Sequence, residues 1–174
     1  MRPWTAVWGI LLIALASSHV QAQTARGTPM PPAPAVNPAF EQIKTLAGEW
    51  EGTSSGRPVR TSFHVVANGS AVLNMLEPSG EPEMVSVFHL DGPALMVTHY
   101  CSAGNQPRMV ARASYDPTLI SFRFKDITNL SSPTAGHMRQ VVLKVTDADH
   151  HRQEWTFRQD GKYHTAVFEF TRKK

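Results

Sequence analysis

The chain has 174 residues, with 17 Lys and Arg against 14 Asp and Glu, a formal charge of +3, and one cysteine at position 101. A mild basic excess interspersed with acids is no nucleic-acid footprint. A lone cysteine rules out an intramolecular disulfide, so the fold has to rest on its own packed core.

Residues 1–22 carry Arg2, an apolar stretch from Ala6 to Ala16, and Val20-Gln21-Ala22, the small-residue pattern of a signal peptidase site. This predicts an exported protein, periplasmic or secreted. The apolar stretch is too short for a typical membrane span, so no transmembrane segment is expected in the mature chain. Residues 23–38 hold Pro29, Pro31, Pro32, Pro34 and Pro38 among small residues. Such a composition cannot bury a core and predicts an extended, disordered linker. A single domain is expected over 39–174, long enough to enclose one core.

The domain opens with a predicted short helix. Asn37 is placed to cap it, Pro38 suits its first position, Phe40, Ile43 and Leu46 fall on one face, and Gly48 is expected to end it. From Glu49 onward the apolar residues recur with period two. Turn signals interrupt them at Ser55-Gly56, Asn68-Gly69, Pro78 to Gly80, Asp91-Gly92, Gly104-Asn105, Asp116-Pro117, Pro133 to Gly136, Asp147 to Asp149 and Asp160-Gly161. These divide the domain into about ten strands at the even spacing of an antiparallel sandwich or barrel.

Two hairpins give registers. A two-residue loop at Asp160-Gly161 pairs Phe157 with His164, Trp155 with Ala166 and Gln153 with Phe168, which puts Trp155, Phe157, His164, Ala166, Phe168, Phe170 and Arg172 on one face. A two-residue loop at Asp91-Gly92 pairs Phe88 with Leu95, Ser86 with Val97 and Met84 with His99. His99 and Cys101 then share an inward face with Leu95 and Val97. In the strand at 120–126, Ile120, Phe122 and Phe124 alternate with Ser121, Arg123 and Lys125, which means one apolar and one wet face.

Gly48-Glu-Trp50 on the first strand and Arg172 on the last are the residues with which a small barrel seals one end, the indole as plug and the cation across its face. With the meander between them, they resemble the calycin superfamily of lipocalins, fatty-acid-binding proteins and nitrobindin-like barrels. The resemblance implies a closed, up-and-down antiparallel β-barrel of about ten strands, lipocalin-like, with a short N-terminal helix. Trp50 and Arg172 are structural under it. The stretch Leu95 to Met109, with Thr128-Asn129, Gly136-His137-Met138 and Glu154-Trp155, is similar to exported bacterial lipocalin-like proteins of unknown function. That similarity brings no activity. The nitrobindin haem-ligating segment has no match here, so haem binding is not carried over.

Candidate ligand-binding residues are His99, Tyr100, Arg108, His137, Trp155 and His164. The three histidines are either soft metal or haem ligands or separate, hydrogen-bonded side chains; no local His-x-x-x-His or Cys-x-x-Cys pair joins them. Cys101 with His99 is either a thiolate and its base or an inert buried thiol. Residues two apart on a strand lie about 7 Å apart at the backbone, long for a direct hydrogen bond. Asn105 is expected to take the left-handed conformation after Gly104. Arg108 is either part of that polar turn or, at a barrel mouth, a fork for an anionic ligand head. Asp147-Ala-Asp-His-His151 reads as a solvated turn, and Glu154 as a surface residue. The chain is thus expected to bind a small apolar or amphipathic ligand. The alternatives are a metal- or haem-binding barrel using interior histidines, and an enzyme with a Cys/His site. Nothing in the sequence indicates oligomeric state.

Overall fold

The computed structural model describes residues 36–174. The signal peptide expected at 1–22 and the linker expected at 23–38, save its last three residues, lie outside that range. The helix α1 (Pro38–Lys44) is capped as expected, with the Asn37 side chain accepting from the Phe40 amide at 3.1 Å. It ends at Lys44, not at Gly48. A turn through Thr45 and Leu46 follows, and Gly48 opens the first strand at φ 129. Phe40, Ile43 and Leu46 are buried together against the barrel.

Ten antiparallel strands follow: β1 (Gly48–Ser54), β2 (Arg57–Val66), β3 (Ala71–Pro78), β4 (Met84–Asp91), β5 (Ala94–Tyr100), β6 (Gln106–Arg112), β7 (Leu119–Thr128), β8 (His137–Val145), β9 (His150–Gln159) and β10 (Lys162–Arg172). Each pairs with its neighbours in sequence, and β1 pairs with β10 to close the barrel. The closing seam sets Trp50 opposite Arg172 and Gly52 opposite Phe170. A side chain at Gly52 would meet the Glu169 carbonyl, so only glycine lets these two strands approach.

The β9–β10 hairpin has the predicted register, because Asp160 and Gly161 both take positive φ, 48° and 77°, as a type I′ turn requires. The β4–β5 hairpin departs from prediction. Its loop is Gly92-Pro93, so Phe88 pairs with Val97 and Ser86 with His99. The shift is two residues, which preserves the faces while changing every partner. Bulges interrupt β6–β7 at Arg108/Met109 and β8–β9 at Met138/Gln140, both near the end of the barrel away from α1.

The barrel interior is filled at the α1 end. Trp50, Phe63, Phe88, Phe122 and Leu143 are all essentially inaccessible there. The indole Nε1 of Trp50 donates to the Leu46 carbonyl at 2.8 Å, and the Arg172 guanidinium lies 4.1 Å from the ring centre. Arg172 also donates to the carbonyls of Ala47, Thr45 and Ala148. One cation thus ties the helix-to-strand turn and the β8–β9 loop to the plug, and the end is sealed as the sequence predicts.

Candidate functional site at the open end of the barrel

The opposite end is not filled. Two adjoining hollows of about 290 and 300 Å³ share walls of Met138, Trp155, Phe157, Ala166 and Phe168. The outer one opens between the β1–β2 and β3–β4 loops, against Pro58, Val59, Glu81 and His164. The inner one reaches Leu76, Met84, His99 and Cys101, and at its rim Glu81, Ser102 and Ala103. Pockets that take small molecules are concave and mostly apolar with a few placed polar groups, and this end of the barrel has that character.

His99 is the polar group at the inner wall. It is 1% exposed, its ring packs on Trp155 at 4.5 Å between centroids, and its Nδ1 shares a 2.9 Å hydrogen bond with the Ser86 hydroxyl across the β4–β5 ladder. Its Nε2 is buried without a protein partner. Burial lowers its pKa from 6.5 to about 4, so the imidazole is neutral at ordinary pH. It then offers one donor and one acceptor, and the Ser86 bond takes up one of them.

Cys101 borders the same hollow, and burial pushes its thiol pKa up despite opposing hydrogen bonds from Ala103 and Ser102. A protonated thiol beside an imidazole that resists protonation is not an activated nucleophile. Trp155, 1% exposed, forms the shared wall. His164 is exposed on the outer hollow, between Phe157 across the ladder and Ala166 along its own strand.

The other three candidates are not brought to the hollows. Tyr100 is 49% exposed and points away from its inward neighbour His99. Arg108 lies in an outward row with Thr98 and Asp126, and its guanidinium donates to the Asp126 carboxylate from Nε and from Nη2, the latter at 2.8 Å. The alternation that makes Met109 inward makes Arg108 outward, so the fork expected at the mouth is on the outer wall. His137 is buried against Phe124, with Nδ1 donating to the Ala135 carbonyl at 2.8 Å, and lines neither hollow. No group of three or more His, Cys, Asp or Glu side chains suited to a metal ion occurs among the described residues.

The turn after β5 also differs from expectation. Gly104, not Asn105, takes the positive φ of 78°, and Asn105 is buried with its amide donating to the Gly136 carbonyl at 2.8 Å. Asn129 donates to Gly104 from the facing loop. The two asparagines therefore fasten the loops that border the mouth. Glu154 is a surface residue as expected, paired with Arg152 at 2.9 Å.

Several interior polar residues were not among the sequence candidates. Trp155 Nε1 donates to Gln153 at 2.9 Å, and Gln153 lies 3.3 Å from His151 Nε2, so a polar string runs from the hollow toward the Trp50 plug. His151 stacks on Phe170 and meets the edges of Trp50 and Phe63. Burial, reinforced by Arg172, lowers its pKa to about 3. It starts next to the solvated Asp147 turn but belongs to the core, contrary to the expectation for that segment. On the other wall Asn74 donates to Thr61 and the Ser62 carbonyl, and Ser86 holds His99. The period-two spacing of His151, Gln153, Trp155 and Phe157 is the signal that marks the first pair as inward.

No protein-family model matches the chain, and no curated protein matches its sequence. Among solved structures, Rv2717c from M. tuberculosis has a similar fold, with a TM-score of 0.57 over 80% of this chain and 100% of that one at 14% identity. At that identity the similarity concerns the barrel alone.

Proposed function

We propose that this protein is an exported, calycin-like barrel that binds a small apolar or amphipathic molecule in the open half of its interior. The observation that carries it is the asymmetry of the core: one end is packed with rings and sealed by Trp50 and Arg172, while the other leaves hollows walled by Trp155, Phe157 and Phe168. A barrel built only for stability would fill both ends.

Native mass spectrometry of the freshly purified protein, set against its denatured mass, tests this directly. An excess of a few hundred daltons, or strong enhancement of an uncharged apolar dye that Ala166→Trp abolishes, is the expected result. Coincident masses together with no dye binding would overturn the proposal. Ala166 borders both hollows and is solvent-exposed, so the larger side chain obstructs the mouth without overpacking the core.

A second reading, metal or haem binding, has one observation in its favour: the exposed His164 imidazole on the wall of the outer hollow. A Soret band on haem addition that disappears in His164→Ala would support it. A haem spectrum unchanged by that substitution would remove it.

A further inference from the structure

Resting on the binding function proposed above, we infer that the inner hollow selects an uncharged hydroxyl head over an anionic one, so that the ligand is a neutral amphiphilic alcohol whose oxygen bonds His99 Nε2. The geometry limits the head in three ways. First, His99 lines the hollow, and its Nε2 is buried with no protein partner. A buried polar atom without a partner is destabilising, so a ligand group that satisfies it gains affinity an apolar group does not. Second, the ring is fixed from both sides, by the Ser86 hydroxyl at Nδ1 and by the Trp155 face. Nε2 therefore presents one direction, and little ordering remains to be done on binding.

Third, no cation at that depth compensates an anionic head. No Lys or Arg lines the inner hollow; its walls include Leu76, Met84, Met138 and Phe168 and one charged group, the Glu81 carboxylate. Arg108 is on the outer surface with Asp126. Arg57 borders only the outer hollow, 3.7 Å from Glu81. The Glu81 carboxylate lines both hollows and further disfavours an anion, whereas a cationic head finds a partner in it. Burying a carboxylate without a cation is much costlier than burying a hydroxyl that finds a hydrogen bond.

A hydroxyl also suits either imidazole tautomer. If Ser86 donates to Nδ1, Nε2 carries the proton and the alcohol accepts. If Ser86 accepts, Nε2 is bare and the alcohol donates. The resistance of His99 to protonation keeps the site in one of these two neutral states at working pH. The hydrocarbon part then lies toward the mouth along Met138, Phe157 and Ala166.

Isothermal titration of the unaltered protein with decanol and decanoate at neutral pH tests the selection. Decanol should bind at least about tenfold more tightly than decanoate, given the usual penalty for an unpaired buried charge. His99→Leu should lower decanol affinity about tenfold and leave decanoate unchanged, while His99→Gln should recover part of the loss. Decanoate binding as tightly as decanol, or no heat with decanol in a protein that binds the apolar dye, would overturn the hydroxyl selection while leaving the binding function standing. No heat with either, in a protein that also fails to bind the dye, would overturn both.

Discussion

Acid should unfold this barrel earlier than its carboxylates require, because two buried histidines refuse protons that the unfolded chain accepts. His99 and His151 have folded pKa values of about 4 and about 3, against 6.5 in the unfolded chain. For a group whose pKa is lowered by folding, stability is full above the unfolded value and falls as pH drops below it. The unfolded state binds more protons there, and the loss continues down to the folded pKa. By about pH 5 each histidine has forfeited about 2 kcal/mol relative to its full contribution well above pH 6.5, or about 4 kcal/mol together, the slope approaching 1.36 kcal/mol per pH unit. That is a large share of the total stability of an ordinary domain. Asp116 and Asp147, whose hydrogen bonds lower their carboxyl pKa values, lose stability in the same direction but at lower pH, below about 4. The interval between pH 6.5 and about 5 therefore isolates the imidazoles. Urea melts followed by tryptophan fluorescence at several pH values should show the loss, and His99→Gln with His151→Gln should flatten it. A wild-type midpoint that does not move over this interval, or a double variant that moves equally, would refute the burial assigned to these rings.

Other substitutions address the plug, the seam and the outer wall. Trp50→Ala should destabilise by about 3–5 kcal/mol in urea through the cavity it leaves; a loss under about 1 kcal/mol would take Trp50 out of the core. Gly52→Ala should destroy cooperative unfolding, since its Cβ would lie within bonding range of the Glu169 carbonyl, and a normal thermal transition would contradict the β1–β10 seam. Arg108→Ala and Tyr100→Ala should leave dye and decanol affinities unaltered, as both side chains stand outside the hollows; a tenfold loss by titration would bring them back to the ligand.

The period-two alternation and the turn residues made about ten antiparallel strands legible in the sequence, and the resemblance carried by Trp50 and Arg172 closed them into a barrel. Asp160-Gly161 announced both its loop and its register, and Trp50 with Arg172 announced the sealed end, because each depends on one or two residue types with few structural alternatives. Asp91-Gly92 misled by two residues because Pro93, not Asp91, completes the turn with Gly92. The candidate site was legible in part. His99, Trp155 and His164 could be put on inward faces by counting along strands. The same counting assigns Tyr100 and Arg108 to the outside, where nearness in sequence to His99 suggested the mouth. What sequence could not supply was depth. Whether an inward residue meets packed rings or open space depends on which end of the barrel its strand position reaches, and that follows from the stagger of all ten strands. His151 and Phe168 are both inward and both buried, yet only Phe168 borders the hollows.

The β1–β10 seam joins the first strand of the meander to the last, so the sheet has free edges until β10 docks. A chain in which β10 has not yet docked is an open nine-stranded sheet with two unpaired borders, the arrangement most open to pairing with other chains. It also lacks the cation that lies over Trp50. Completion of the container, and its escape from aggregation, thus wait on the docking of β10 against β1, which makes late closure a property of the topology itself.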